Sequence, residues 1–230
     1  MRALVRVWAI AMNGPALEGA CAARFHALWQ RCSIGTTALD SARIHSDLRA
    51  RYAEPQRHYH RFAHIEHCLL EFDGALARDP RADEIEMALW FHDVIYAPGA
   101  TDNEQRSADL FAHYGHAELA SAFVDRVCEL IMITTHRRWP EGIQQAWVTD
   151  IDLSSFGLPW PQFLRDTRHV RAEQAELSDA AYYAAQGRFL RGLCARTQIF
   201  HTAYFQQRYE QSARANIERV LAQFASGAAL

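Results

Sequence analysis

The chain has 230 residues, half of them hydrophobic, and a formal net charge of −3. That is enough apolar material for one full core and too little positive charge for a broad nucleic-acid footprint. All 24 basic residues are arginine, which excludes a lysine Schiff base or a P-loop lysine, and no G-x-G-x-x-G, G-x-x-x-x-G-K or G-x-S-x-G run occurs.

Residues 1–16 read as an N-terminal arm: Arg2 and Arg6 interrupt the apolar opening, which is too short to span a bilayer and poor as a secretory leader. Residues 17–226 read as a single all-α domain. A first helix is expected over 17–29 and a second over 38–52, capped by Thr37 or Asp40 and ended by Glu54-Pro55. The segment 59–76 gathers His60, His64 and His67 into a narrow arc. Its opposite stripe, Phe62, Ile65, Leu69, Phe72 and Leu76, steps by three and four. One helix would thus offer an apolar side for packing and an imidazole side for chemistry.

Over 82–94, Ile85, Ala88, Leu89 and His92 share a face, so His92 points where the apolar residues point and needs a partner there. Further helices are expected from Thr101-Asp102-Asn103-Glu104 through Tyr114, then over 117–135, 144–156, 162–176, 179–195 and 204–224. No strand-like alternation, internal repeat or low-complexity linker interrupts them. Five cysteines, widely spaced and without C-x-x-C, suit the reduced thiols of the cytoplasm better than a disulfide framework or zinc knuckle.

Three of these helices carry His64, His92, Asp93 and Asp152. Two imidazoles and two carboxylates suit one borderline or hard divalent ion, Mn²⁺, Mg²⁺, Fe²⁺, Co²⁺ or Zn²⁺, with positions left for water and substrate. The plainer reading is a buried hydrogen-bonded cluster without an ion. Asp150 competes with Asp152, because residues two apart lie on nearly opposite sides of a helix. Asp152 shares its face with Val148 and Phe156, which favours it.

In order, R-H-Y-H-x-x-x-H-I, W-F-H-D-V-I-Y, D-N-E-Q-R-S-A, Thr134-Thr135-His136 and D-I-D-L resemble the HD-domain superfamily, in particular a bacterial branch of predicted metal-dependent phosphohydrolases. The resemblance runs from about Tyr52 to the last helix, with the metal-site core at about 52–157. It implies an HD-type helical bundle and His64, His92, Asp93 and Asp152 as metal ligands. It also implies a small phosphorylated substrate, with no nucleic-acid polymer and no membrane as partner. Oligomeric state stays open between monomer and homodimer.

Tyr59-His60 followed by His64 is also similar to the Y-H-N-x-x-H run of cyclic-nucleotide phosphodiesterases, which suggests His60 as general acid. Arg57, Arg61, Arg106 and His136 are the candidates for phosphate contact, and Glu104 is a candidate catalytic carboxylate or merely a first-turn charge. Superfamily members with a glutamate or histidine three residues after the Asp of the pair differ from this chain, which has Tyr96. One metal per chain is therefore expected, although His136, His113 or His116 and Glu104 could assemble a second site. Two alternatives stand beside phosphoester hydrolysis: an HD-fold di-iron oxygenase, and a metal-containing binding module without catalysis.

Overall fold

The computed structural model describes residues 14–35, 41–76 and 82–227. Most of the expected arm, residues 1–13, lies outside them, as do the suggested caps Thr37 and Asp40. Ten α-helices follow in order: α1 Gly14–Cys32, α2 Ser41–Tyr52, α3 Phe62–Leu76, α4 Ala82–Phe91, α5 Asn103–Gly115, α6 Ser121–Ile133, α7 Ile143–Leu153, α8 Trp160–Glu173, α9 Asp179–Cys194 and α10 Ala203–Ser226. A single 3-10 turn, Ser154–Gly157, extends α7. The fold is all-α, and among the described residues the one extended pairing is an isolated antiparallel bridge between Ser33 and Leu119. No described helix is long and apolar enough to cross a membrane, and all five cysteines are free.

α4 is the centre of the packing. Ile85, Met87, Ala88, Leu89, Trp90 and Phe91 are all buried, so apolar residues cover the helix on every side, as expected of a helix inside a core. α6, α3, α7, α5 and α1 pack around it. Its two buried acids reach outward to partners: Glu86 accepts from Arg24 of α1 at 2.7 Å, and Glu84 from Arg126 of α6 at 2.7 Å and Gln144 of α7 at 2.7 Å. A buried carboxylate is tolerable only when so paired. The Tyr52 hydroxyl then donates to the Trp90 carbonyl at the far end of α4. These bonds fix the axis of the helix whose end delivers His92 and Asp93.

α10 closes the other side by packing on the 3-10 turn and on α9. The approach is close because residue 157 is glycine; a Cβ there would overlap the Tyr209 ring. Asp150 locks the start of α10. Its carboxylate accepts from the backbone N–H groups of His201 (2.8 Å) and Thr202 (2.7 Å) and from the Thr202 hydroxyl (2.7 Å).

Most expected boundaries move by one to four residues; α4 ends at Phe91, so His92 follows the helix, and two shifted starts have a clear cause. α3 begins at Phe62, so residues 59–61 precede the helix and His60 does not share a helical face with His64 and His67. The helix expected over 117–135 starts at Ser121, because residues 117–119 turn to bridge Ser33 and to place Glu118 against the Trp29 indole N–H at 2.9 Å.

Asp150→Ala would strand three donors beside a buried surface, and we expect it to lower the unfolding free energy by about 2–4 kcal/mol. Chemical denaturation of the variant measures this. A loss under about 0.5 kcal/mol, the range of ordinary surface substitutions, would contradict the role given to Asp150.

Candidate metal centre

Four segments meet at one point. α3 supplies His64 in its first turn, the turn after α4 supplies His92 and Asp93, α7 supplies Asp152, and the connection after α6 supplies His136. His64 Nε2 lies 3.2 Å from His92 Nε2 and 3.1 Å from Asp152 Oδ1. Asp93 Oδ2 lies 3.1 Å from His92 Nε2 and 3.6 Å from His64 Nε2, and Asp152 Oδ1 lies 3.4 Å from His92 Nε2. Asp152, not Asp150, stands in the cluster; Asp150 faces the start of α10 instead.

These spacings suit a shared cation. Ligand atoms about 2.1 Å from one ion lie roughly 3.0 Å apart at right angles and roughly 3.4 Å apart at tetrahedral angles. The tautomers agree. His92 Nδ1 is 3.0 Å from the Leu89 carbonyl, which can only accept, so the proton sits on Nδ1 and neutral His92 aims a bare Nε2 at the cluster.

Two carboxylates facing that lone pair need a positive charge among them. Burial alone would lower the His92 pKa, but Asp93 and Asp152 outweigh it and raise it well above the ordinary value. Burial likewise pushes the Asp93 and Asp152 carboxyls up, and the surrounding imidazoles reverse this and hold both well below the usual carboxylate range.

His64, Cys68, His92 and Asp152 each offer a ligand atom, all within 4.8 Å of one another, and this buried group could hold a metal ion. Asp93 belongs with them by the distances above. Cys68 fits less well. Its sulfur is nearly equidistant from the two ring nitrogens of His64, 3.9 and 3.7 Å, and so packs against the ring one helical turn away, while burial and nearby carboxylates raise its thiol pKa well above the ordinary value.

His136 supports the centre from behind. Its Nε2 meets Asp152 Oδ2 at 2.9 Å, leaving Oδ1 for the cluster, and its buried Nδ1 has no hydrogen-bond partner among the described residues. The residue stands at φ 53, a left-handed conformation that a histidine adopts at a cost of order 1–3 kcal/mol. Arg196 holds its carbonyl at 3.1 Å.

The cluster opens into a cavity of about 320 Å³ that Asp93 and Asp152 line, together with His60, Tyr96, Glu104 and His136. His60 stands at its edge and stacks on Tyr96 with ring centroids 4.1 Å apart. Its Nδ1 is 2.6 Å from Glu173 Oε2, and the other oxygen, Oε1, accepts from the backbone N–H groups of residues 58, 59 and 60 at 2.7, 2.7 and 2.8 Å. Burial would lower the His60 pKa; Asp93 and the bonded Glu173 outweigh it and raise it. Burial raises Glu173 in turn, and the bond to His60 reverses this.

Glu173 escaped the sequence reading, being 113 residues from His60. Its one trace was an acid at the C-terminal end of a helix, where the helix dipole favours a base.

The arginine assignments need correction. The buried Arg57 guanidinium donates to the carbonyls of His60 (3.0 Å), Asp93 (2.7 Å) and Val94 (2.9 Å) and to Glu54 (3.0 Å). It therefore ties the His60 loop to the His92-Asp93 turn and is not available to a phosphate. Arg61 lines a different cavity, and Arg106 is exposed and lines neither. His113 and His116 line neither cavity, and the described residues form one candidate metal group, not two. His67 bonds the Ser154 hydroxyl at 2.8 Å, a packing role.

No family model, curated protein or solved structure matches the chain.

A divalent ion at a hundredfold its dissociation constant should stabilise the fold by about 2.7 kcal/mol, a rise in Tm of roughly 5–10 °C for a chain of this size. His92→Ala and Asp152→Ala should abolish the rise, Cys68→Ser should keep it, and it should shrink on acidification, because ligating imidazoles must shed their protons. Thermal scans with and without Mn²⁺ measure all four effects; a rise that survives Asp152→Ala would contradict this ligand set.

Proposed function

We propose that the chain is a metal-dependent phosphohydrolase that cleaves a phosphoester of a small molecule such as a nucleotide. The observation that carries this reading is one pocket lined by Asp93 and Asp152, the carboxylates of the two-imidazole cluster, and, at its edge, by a histidine whose Nδ1 is hydrogen-bonded to a buried carboxylate. The ordered motifs that resemble those of the HD-domain superfamily support it, and so does a pocket of about 320 Å³ with no arginine among its described lining residues, which suits a small molecule and not a nucleic-acid polymer. Five free thiols accord with a cytoplasmic setting.

His64, His92, Asp93 and Asp152 would hold the ion, and His136 keeps the Asp152 carboxylate turned toward it. A bound divalent ion supplies Lewis acidity at the phosphoryl group and acidifies water there. His60 is the general acid. Glu173 takes its Nδ1, so Nε2 is the nitrogen that holds the proton for the departing oxygen, and Asp93 together with Glu173 raises the pKa at which the imidazolium loses a proton. Phe156, Phe163 and Phe189 give the pocket wall an apolar side, which would strengthen the charge interactions of a bound substrate. Glu104 borders the same pocket and can accept a hydrogen bond from substrate. The oxygenase alternative would require a second set of ligands, whereas the described residues supply one.

With metal-loaded protein and a panel of phosphoesters, His92→Ala and Asp93→Ala should reduce turnover to background. His60→Ala should lose about 10²–10⁴-fold on an alkyl phosphoester, and far less on a nitrophenyl ester, whose leaving group needs no proton.

The pH dependence follows from the raised His60 pKa. The acid is protonated below that value, so the rate falls as pH rises through it, at a pH above the ordinary histidine value of about 6.5. Glu173→Gln should move the fall to lower pH. Equal losses on both esters, or an unmoved alkaline limb, would remove His60 from the role.

A further inference from the structure

His136 reaches the centre from the connection between α6 and α7, residues 134–142, and in a left-handed conformation with φ 53. Residues with a Cβ adopt that region rarely, and a histidine stays there only where its surroundings hold it. The surroundings come from 60 residues further along the chain. In the connection between α9 and α10, the Arg196 guanidinium donates to the His136 carbonyl at 3.1 Å and lies 5.7 Å from the centroid of the Trp139 ring.

Trp139 in turn meets the His201 ring at 89°, with centroids 4.4 Å apart. The His201 backbone N–H donates to Asp150 of α7 at 2.8 Å. Asp150 and Asp152 share that helix, so the contacts close a circuit that leaves α7 at Asp152, passes through His136, Arg196, Trp139 and His201, and returns at Asp150. Arg196 is the one member of it with no other polar commitment. Among the described residues no carboxylate pairs with its half-buried side chain, whose one hydrogen bond goes to the His136 carbonyl.

We infer, on the ligand set proposed above, that Arg196 is a positioning residue for the metal centre. By holding the His136 carbonyl it keeps that residue left-handed, His136 Nε2 on Asp152 Oδ2, and Asp152 Oδ1 turned toward the ion. Without the bond, residue 136 can return to an ordinary backbone region, its ring leaves Asp152, and the carboxylate can rotate. Outer partners of a ligating group typically carry 10–100-fold in metal affinity.

Charge alone predicts the opposite. Arg196 is a cation, and removing it from the neighbourhood of a divalent ion should tighten binding. Position and charge therefore pull the affinity in opposite directions, and the sign of the change tells them apart. The turn that carries Arg196 does not depend on its side chain. Arg214 of α10, itself paired with Glu210 at 2.7 Å, donates to the carbonyls of Cys194 (3.0 Å), Arg196 (2.9 Å) and Thr197 (3.0 Å).

Metal-free protein is titrated with Mn²⁺ and the free ion followed by electron paramagnetic resonance. Arg196→Ala and Arg196→Met, the second of which keeps an apolar stem against Trp139, should each raise the dissociation constant about tenfold. Arg191→Ala, which removes the same charge from an exposed position on α9, should not raise it. Arg196→Lys keeps a donor for the carbonyl and should recover most of the affinity. In a His136→Ala background, Arg196→Ala should weaken binding no further, because the residue through which it acts is already gone.

A wild-type chain that binds Mn²⁺ while the Arg196→Ala and Arg196→Met proteins bind it equally or more tightly would overturn the role of Arg196 and leave the ligand set standing. So would a loss of the same size in the His136→Ala background, or no recovery in Arg196→Lys. A wild-type chain that takes up no Mn²⁺ would overturn both. Hydrolysis enters none of these readouts.

Discussion

At the heart of this molecule two imidazole nitrogens stand 3.2 Å apart, and each lies 3.1–3.6 Å from both of two carboxylate oxygens. In a buried setting they cannot remain so without a positive charge among them. A proton on His92 meets the requirement in part. A divalent cation would meet it better, because His92 could keep its Nδ1 proton on the Leu89 carbonyl while Nε2 faced the ion. The helices are arranged so that this convergence occurs. α4 is buried on all sides and ends at the cluster, with α3 and α7 packed against it.

What holds the convergence in place is a small set of buried charges that collect backbone groups. Glu173 gathers three N–H groups of the loop before α3 and thereby sets the position of His60. Arg57 gathers three carbonyls and joins that loop to the His92-Asp93 turn. Asp150 gathers the start of α10, on the side of α7 opposite to Asp152. In each case a charged side chain satisfies polar backbone where neither helix nor water would, and irregular segments near the site become as fixed as the helices. Preorganisation of this kind is what a catalytic centre requires of its surroundings.

Much of this was legible in the chain itself. Apolar residues at spacings of three and four mark the helices, and the buried face of α3, Phe62, Ile65, Leu69, Phe72 and Leu76, is the one its periodicity predicts. That only one of Asp150 and Asp152 could face the cluster followed from helical geometry, and the structure has Asp152 there. Other features depend on partners far along the chain. His60 reads as helical from its spacing to His64, yet the three N–H groups that a helix would have used go to Glu173. Arg57 and Arg61 are both near the motifs in sequence, but one is swallowed by carbonyls and the other faces the neighbouring cavity. Proximity in sequence carries no information about which side of a wall a side chain will occupy. Tyr59, Ser155 and Asp166 line both cavities, the first two hydrogen-bonded at 2.8 Å.

The cation requirement is open to direct measurement. Metal-free protein titrated with Mn²⁺ and followed by electron paramagnetic resonance of the free ion should take up one equivalent per chain, and the Asp93→Ala protein should take up none at the same concentrations while keeping its helical circular dichroism. Failure of the folded wild-type chain to bind Mn²⁺ or any of Mg²⁺, Fe²⁺, Co²⁺ and Zn²⁺, or binding that ignores the loss of Asp93, would contradict the account at its foundation.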